Sequence, residues 1–292
     1  MGCKRKAERA PGHRALLTMC RRGWMGAAVF AFLFAASYAY AAEDALDAVD
    51  RVLAGDHRSP GNRARDAHRH PKETLQFFGL RPDMHVVEVW PGGGWYTEVL
   101  APLLRERGKL YAAHYHVDDS THRFYRNAQR QFVDRLAKRP DLYDQVVVTG
   151  LLPPHVDFAP PASVDMVLTF RNVHNWSEQG YDQEMFNAFF AALKPGGILG
   201  VVEHRANEGA SRRDMVRTGY MTESYVIELA RKAGFTLAAR SEVNANPKDT
   251  KDHPRGVWTL PPTLRLGDQD REKYLAIGES DRMTLKFTKP SN

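Results

Sequence analysis

The chain has 292 residues, of which 43% are hydrophobic, and this is enough to bury one sizeable core. The net charge of +6 arises in residues 1–24, which hold seven of the 41 bases and one of the 35 acids. The rest of the chain has 34 bases and 34 acids, which argues against a nucleic-acid partner, because such a partner needs a basic folded surface. Both cysteines, Cys3 and Cys20, lie in the same basic segment, so the rest of the chain needs no disulfide.

Residues 1–41 have the pattern of an export signal. A basic region is followed by 18 uncharged residues, 25–42, which end near the small-residue pattern Ala39-Tyr40-Ala41. We predict that this segment directs export and is cleaved, leaving a periplasmic protein. The alternative is an uncleaved anchor in the inner membrane, because 18 residues are near the lower limit for a membrane span.

Residues 42–82 are predicted to form an N-terminal helical arm. An apolar stripe predicts a helix over 45–53, and a second short helix is predicted over 71–78. The polar stretch 56–71 between them has two interpretations. It is either a solvated segment or a flap that brings four side chains to a ligand cleft: Arg65, Asp66, Arg69 and His70.

A strand, a glycine-rich turn and a helix are predicted over residues 86–97. Three β-branched valines form the strand, Pro91 and three glycines interrupt it, and a helical pattern resumes near Thr97. Glycines let a backbone approach a nucleotide closely, and a helix N-terminus offers unpaired N–H groups. Glu88, near the end of the strand, can accept hydrogen bonds from a ribose or from a cationic ligand. The alternative is an ordinary strand-to-helix turn without a ligand.

Strands and helices continue to alternate after this turn. Further strands are predicted over 109–115, 145–149, 164–170, 198–203, 235–241 and 282–288, and helices over 121–138, 183–193 and 222–233. Such alternation predicts a parallel sheet that is covered by helices on both faces. Residues 194–197 are predicted to form a turn before the fifth strand, and residues 244–280 a long polar insertion before the last strand.

Several of these motifs resemble those of class I S-adenosylmethionine-dependent methyltransferases. The stretch Glu88-Val89-Trp90-Pro91-Gly92-Gly93-Gly94 resembles the family's acid-x-Gly-x-Gly-x-Gly turn. Two later stretches of this chain also resemble turns of the family: Leu193-Lys194-Pro195-Gly196-Gly197 and Ala233-Gly234-Phe235. More loosely, the turn Pro-Gly-Gly-Gly-Trp-Tyr-Thr resembles that of a group of exported bacterial methyltransferases. The resemblance covers roughly residues 71–241 and the last strand. It implies an α/β fold over residues 83–292, with a Rossmann-like, doubly wound sheet of seven strands.

The resemblance also implies S-adenosylmethionine as the cofactor and a set of residues that bind it. They lie in the glycine turn, at the start of the next helix and after the fourth strand: Glu88, Pro91, Gly92, Gly93, Gly94, Tyr96, Thr97 and Asn172. Trp90 occupies the family's first glycine position, so either the turn takes a different path or the indole forms a wall of the cofactor site. The second strand ends in Ala113-His114-Tyr115, and not in the acid that holds the ribose hydroxyls in the family.

Residues after the fourth strand are the candidates for catalysis. Methyl transfer needs alignment, exclusion of water and, for a poor nucleophile, a general base. We predict His174 as that base and Asn172 as the residue that orients a small-molecule or lipid-like acceptor, because ligands bind at the carboxyl ends of strands in such sheets. The alternative is that His174 forms a structural cap on its loop. No metal site is predicted, since a partly exposed strand end is the preferred interpretation of His114 and His116.

Two other functions are consistent with the sequence. An exported, non-catalytic binding protein would retain the fold without needing a cofactor that is made in the cytosol. A nicotinamide-dependent oxidoreductase would use Gly92-x-Gly94 as a dinucleotide fingerprint, although Thr97 stands at the third glycine position of that motif. Binding of S-adenosylmethionine to the mature protein is the measurement that best separates these possibilities.

Overall fold

The computed structural model describes residues 1–2 and 47–291. The chain divides into two compact units, Met1–Asp44 and Ala45–Asn292. The hydrophobic part of the predicted export signal and the start of the first predicted helix lie outside the described residues. Within the described residues, no helix combines the length and the apolar character that are needed to cross a membrane.

Seven strands form one sheet in the second unit. They are β1 (His85–Val89), β2 (Lys109–His114), β3 (Val147–Gly150), β4 (Val164–Phe170), β5 (Leu193–His204), β6 (Thr236–Ser241) and β7 (Arg282–Thr288). Their order across the sheet is β3-β2-β1-β4-β5-β7-β6. The pairs β1–β2, β1–β4, β2–β3 and β4–β5 are all parallel. The predicted α/β fold with a doubly wound, Rossmann-like sheet is therefore confirmed.

Helices connect the strands and form the arm before them. They are α1 (47–54), α2 (Pro60–Arg63), α3 (Asp66–Arg69), α4 (Pro71–Phe78), α5 (Thr97–Leu104), α6 (Arg123–Ala137), α7 (Pro140–Tyr143), α8 (Val173–Gln179), α9 (Asp182–Ala192), α10 (Arg212–Thr218), α11 (Glu223–Lys232) and α12 (Arg271–Ile277). Local chemistry sets several of their ends. Gly79 ends α4 with a positive φ of 81°, and the Thr222 side chain accepts a hydrogen bond from the backbone N–H of Tyr225 at the start of α11.

The core occupies both faces of the sheet because neighbouring residues of a strand point in opposite directions. In β1, Val87 and Val89 belong to one hydrophobic cluster, and Val86 belongs to the other. The first cluster lies under α8, α9 and α11 and includes Trp176 and Phe186. The second lies under α4, α5 and α6 and includes Leu75, Phe78, Leu100, Leu104 and Phe132.

The prediction of an all-parallel sheet is wrong for β7, which runs antiparallel to both β5 and β6. Its register pairs Ser241, at the end of β6, with Thr284, near the start of β7. The insertion between these strands also stays at this edge, because Asn244 donates hydrogen bonds to the hydroxyl groups of Thr74 and Thr284. β7 therefore begins at the end of the sheet where β6 finishes, and so it runs antiparallel to β6.

The predicted turn at residues 194–197 lies inside β5 and not before it. β5 pairs with β4 at Leu193 and again from Ile198 onward, with an irregular register between the two contacts. Gly196 has a positive φ of 78°, and a Cβ on Gly197 would lie 2.8 Å from the carbonyl oxygen of Lys194. The two glycines thus form a bulge that interrupts the ladder while the chain remains in the strand.

Candidate functional site

A cavity of about 320 Å³ lies at the carboxyl ends of β1 and β4. This is the point where the strand order reverses, and open α/β sheets bind ligands at such points. Its walls come from the arm, the glycine turn, α6 and the end of β4: residues 62, 65, 69, 88–93, 95–96, 135 and 170–172. The cavity contains six of the eight predicted cofactor residues, namely Glu88, Pro91, Gly92, Gly93, Tyr96 and Asn172.

The glycine turn presents bare backbone to this cavity. A Cβ added to Gly92 or Gly93 would meet no heavy atom within 4 Å. Gly92 and Gly94 have positive φ angles of 57° and 80°, whereas Gly93 has no such constraint. Gly94 faces Phe132, 3.4 Å from its would-be Cβ, and its N–H bonds to the carbonyl oxygen of Pro91. Gly94 shapes the turn, and the open space belongs to Gly92 and Gly93.

Glu88 is a buried carboxyl group on the cavity wall. The hydroxyl of Thr97 donates to its Oε2 at 2.6 Å, so Thr97 acts on the site through Glu88 and does not itself line the cavity. Burial raises the pKa of Glu88 from 4.5 to about 7, although the hydrogen bonds from Thr97 act in the opposite direction. A ligand that donates hydrogen bonds here would stabilise the ionised carboxylate.

Two further predicted residues form the wall near β4. The ring of Tyr96 stacks on Phe170 with 3.5 Å between the ring centroids. The Asn172 side-chain amide donates to the carbonyl oxygen of Val89 at 2.9 Å and to the hydroxyl of Thr169 at 3.2 Å. Asn172 thereby ties the end of β4 to the end of β1, which fixes the distance between the two sides of the cavity.

Trp90 takes the position of the family's first glycine by adopting a left-handed backbone, with φ of 45°. Its indole N–H donates to the carbonyl oxygen of Leu151 at 2.8 Å. The ring lies edge-on to Tyr115 and Trp176, and the residue lines the cavity. Packing of the indole offsets a backbone strain that costs on the order of 1–3 kcal/mol in a bulky residue.

The end of β2 places no carboxylate among the described residues that line the cavity. His114 is fully buried behind the turn, and burial lowers the pKa of its imidazole to about 4. The Asp118 carboxylate accepts hydrogen bonds from the hydroxyl groups of Ser120 and Thr121, and these hydrogen bonds lower its pKa to about 2. Asp118 therefore caps its own loop and is not placed as a ribose ligand.

His174 lies in the first turn of α8, and it is not one of the described residues that line the cavity. Its Nδ1 is 3.0 Å from Oε1 of Glu203, and the ring packs edge-on to Trp258. Glu203 also accepts hydrogen bonds from the N–H groups of Val173, His174 and His204. The contacts are those of a cap on α8, so the general-base role of His174 stays a prediction.

The same group bears on the metal question. His174, Glu203 and His204 bring potential ligand atoms within 4.8 Å of one another, as do His116, Asp118 and His155. In the first group, however, Glu203 already satisfies backbone N–H groups. In the second, the rings of His116 and His155 stack with 3.8 Å between their centroids. These contacts account for the positions of Glu203 and of the two stacked rings, and the interpretation without a metal stays a prediction.

Several cavity residues come from segments that are distant from the glycine turn, and they were predicted only in part. Arg65 and Arg69 of the arm line the cavity, as the flap interpretation of this segment predicted. Asp66 and His70 do not line it, and Asp66 pairs with Arg58. Arg135 was missed, and it donates to the carbonyl oxygen of Gly93. The available signal was helical spacing, since Arg135 follows Phe132 by one turn of α6 and Phe132 packs behind Gly94.

No family model matches the sequence, and no curated protein matches it. The structure is similar to that of an S-adenosylmethionine-dependent methyltransferase from Aquifex aeolicus, with a TM-score of 0.52 and 18% identity over 79% of this chain and 94% of the other. It is similar to a candidate sarcosine dimethylglycine methyltransferase from Galdieria sulphuraria, with a TM-score of 0.53 and 12% identity over 79% and 85%. It is also similar to the [4+2]-cyclase SpnF, with a TM-score of 0.51 and 17% identity over 82% and 86%. The strand order, the glycine turn and these likenesses together show that the chain has the fold of class I S-adenosylmethionine-dependent methyltransferases.

Proposed function

We propose that this protein is an S-adenosylmethionine-dependent methyltransferase that acts on a small-molecule or lipid-like acceptor. The observation that carries the proposal is the bare backbone of Gly92 and Gly93 facing a cavity that also holds the buried carboxyl of Glu88. The cofactor supplies an activated methyl group when bound. The residues present fit such a ligand, because they combine a backbone surface, a hydrogen-bond acceptor and aromatic walls.

In this function the chain's own residues bind and align, and they supply little covalent chemistry. Glu88 accepts hydrogen bonds from the ligand, and Gly93 allows it to lie against the turn. Tyr96 and Phe170 form an apolar wall that excludes water, and Asn172 keeps β1 and β4 at a fixed distance. In-line displacement at a methyl group depends mainly on such alignment.

Calorimetry on the protein without residues 1–41 tests the proposal directly. We expect S-adenosylmethionine and S-adenosylhomocysteine to bind with micromolar affinity, on the order of −7 to −8 kcal/mol. Bound ligand should also raise the melting temperature, because it binds only the folded state. The absence of both heat and thermal shift with either ligand would contradict the proposal.

A non-catalytic binding protein is the second candidate, and one observation favours it. Among the described residues that line the cavity there is no histidine, and His174 is engaged by Glu203. Formation of S-adenosylhomocysteine above the blank, with an extract of host small molecules and lipids as acceptor, separates an enzyme from a binder.

The nicotinamide-dependent alternative receives no support from the sheet. The dinucleotide-binding sheet has six parallel strands in the order 3-2-1-4-5-6. Here a seventh strand, β7, lies antiparallel between β5 and β6. We therefore do not propose an oxidoreductase.

We do propose that the mature domain acts outside the cytosol, because of the pattern of residues 1–41.

A further inference from the structure

Four guanidinium groups surround one carboxylate at the arm side of the cavity. Arg65 and Arg69 donate through Nε to the two oxygens of Glu279, at 2.7 and 3.2 Å. Arg282 donates to the same carboxylate at 3.1 Å, and Nη1 of Arg171 lies 4.0 Å from it. These five residues come from α3, the end of β4, the insertion and β7, so the fold assembles them from four separate segments.

The charges in this group do not balance. One carboxylate faces four cations, which leaves three positive charges in excess among these residues. Asp66, the acid next to Arg65, is already paired with Arg58. Within the part of the chain that the structure describes, Nη2 of Arg65 is buried and has no hydrogen-bond partner. A buried donor without a partner costs roughly 1–3 kcal/mol, so Glu279 leaves the Arg65 guanidinium incompletely satisfied.

Burial of the group has a clear electrostatic signature. Burial, and next the neighbouring Arg171, lowers the pKa of Arg69 from 12.5 to about 8. Burial also lowers the pKa of Arg171 to about 10. For Glu279, burial alone would raise the pKa, but the four arginines outweigh it and lower the pKa to about 2. The cations are thus held in a poorly solvated place without enough negative charge.

Three of the arginines face the cavity. Arg65, Arg69 and Arg171 line it together with Glu88 and the glycine turn. The side chains of Arg65 and Arg171 are 25% and 24% exposed, whereas that of Arg69 is 3% exposed and lies over the ring of Trp95. The stacked Arg69 is held in place, and the two outer guanidiniums are open to a ligand.

We propose that Arg65, Arg69 and Arg171 form a binding site for an anionic oxygen group, a carboxylate or a phosphate, carried by a ligand of this cavity. Guanidinium groups bind such anions through paired N–H donors, and the bond is strongest where water is excluded. The anion supplies the missing negative charge.

Two sources of the anion share this chemistry. One is the carboxylate in the methionine half of S-adenosylmethionine, and the other is an acidic group on the methyl acceptor. The proposal rests on the proposed function for the identity of these ligands, although the arginine site itself is a property of the fold. The probes below separate the two sources.

The test uses Arg65→Gln and Arg171→Gln, because these outer arginines can be neutralised while Arg69 and Arg282 still pair with Glu279. Arg139→Gln is the matched control, since Arg139 is exposed and pairs with Asp141 outside the cavity. Calorimetry with S-adenosylhomocysteine is compared with 5′-methylthioadenosine, which lacks the carboxylate and the ammonium group. Inorganic phosphate and acetate are then titrated onto the protein saturated with S-adenosylhomocysteine, against potassium chloride of equal ionic strength.

Two results support the site. If the anion belongs to the cofactor, each variant weakens S-adenosylhomocysteine about 10- to 100-fold and changes 5′-methylthioadenosine less than about twofold. If it belongs to the acceptor, S-adenosylhomocysteine binds all proteins equally, and phosphate or acetate raises the melting temperature of the wild type and of Arg139→Gln only. Variants that match the wild type with every probe would overturn the proposal.

Failure of the proposed function would be recognised separately. In that case the wild type binds neither S-adenosylhomocysteine nor 5′-methylthioadenosine. Phosphate and acetate are then titrated onto the protein alone. A shift that is present in the wild type and lost in Arg171→Gln still supports the anion site, and its absence rejects the site as well.

Discussion

At the scale of single residues, Gly93 offers a clean test of the cavity as a ligand site. Of the three glycines in the turn, it is the one without a positive φ, and a Cβ there meets no atom within 4 Å. We therefore expect Gly93→Ala to fold normally and to weaken S-adenosylhomocysteine about 10- to 100-fold by occupying ligand space. Calorimetry and thermal melting of the same samples measure both effects.

Gly61→Ala is the matched control for this substitution. The added methyl group again meets no atom within 4 Å, and Gly61 does not line the cavity. Equal affinities of Gly93→Ala, Gly61→Ala and the wild type would show that no ligand approaches the turn.

Glu88 makes a pH-dependent contribution to stability. Its pKa is about 7 in the folded protein and 4.5 when unperturbed, so the folded state holds the proton more tightly. The stabilising contribution of the neutral carboxyl is complete below pH 4.5 and is lost as the pH rises through about 7. We expect the wild type to lose roughly 3 kcal/mol relative to Glu88→Gln between these limits.

Denaturant unfolding of both proteins at pH 4.5, 6 and 8 measures this difference. Parallel stability curves would mean that Glu88 ionises without cost in the folded state. A second readout is proton release when S-adenosylhomocysteine binds near pH 6.5, because a ligand that favours the carboxylate displaces its proton.

At the scale of elements, the start of α8 depends on Glu203. His174→Ala removes one hydrogen bond from this carboxylate and is expected to lower the free energy of unfolding by about 1 kcal/mol. His174→Asn is the informative partner, because its amide can donate in place of Nδ1 but cannot act as a base. We expect His174→Asn to recover most of the lost stability.

Turnover decides between the two roles of His174. For a structural residue, His174→Asn keeps normal turnover. A fall of roughly 10²–10⁴-fold in both variants, with cofactor affinity unchanged, would instead establish a general base.

Glu279 connects the insertion to the arm through the arginines. Removal of its charge leaves the buried Arg69 and Arg282 without this counter-ion, so Glu279→Gln is expected to cost about 3 kcal/mol at pH 7. The pKa of this carboxyl is about 2, below its ordinary 4.5. Its contribution is therefore present above pH 4.5 and is lost as the pH falls toward 2.

Unfolding curves of the wild type and Glu279→Gln at pH 7, 4.5 and 3 test this prediction. The difference in the free energy of unfolding between the two proteins should become smaller below pH 4.5. Glu272→Gln, which changes an exposed carboxylate of the same insertion, should match the wild type throughout. A difference that stays constant with pH would contradict the conclusion that Glu279 is ionised in the folded protein.

At the scale of the whole molecule, processing of residues 1–41 is the open prediction. We expect the mature protein to begin near Ala42, because a small-residue pattern ends at Ala41. Mass spectrometry of the protein from its native host measures the first residue. An intact chain that remains in the membrane fraction would favour the anchor instead.

The parts of the fold that follow from local sequence were predictable. The bounds of β4 follow from an apolar run and those of β7 from alternating polar and apolar residues. The helix 71–78 follows from its proline start and its glycine end. The direction of β7 did not follow, because a strand's direction depends on where its connection lies. The turn at residues 194–197 was misplaced because glycines mark a bulge and a turn in the same way.

The candidate site was also predictable only in part from the sequence. Glu88 and the glycines lie within seven consecutive residues, so their grouping is visible in the sequence. The arginine group is not, since Arg65 is 214 residues from Glu279. The burial of His174 was also hidden, because it depends on Glu203 from the next strand and on Trp258 from the insertion.

The position of β7 has a consequence for how the protein is made. β6 joins the sheet through β7, and Glu279 precedes β7 by three residues. During synthesis the arm with Arg65 emerges 214 residues before its partner Glu279. Closure of such a long loop is slow, so the arginines of the arm gain this counter-ion late in folding. A chain that ends before Glu279 therefore carries Arg65, Arg69 and Arg171 in the cavity wall without the carboxylate that partly neutralises them.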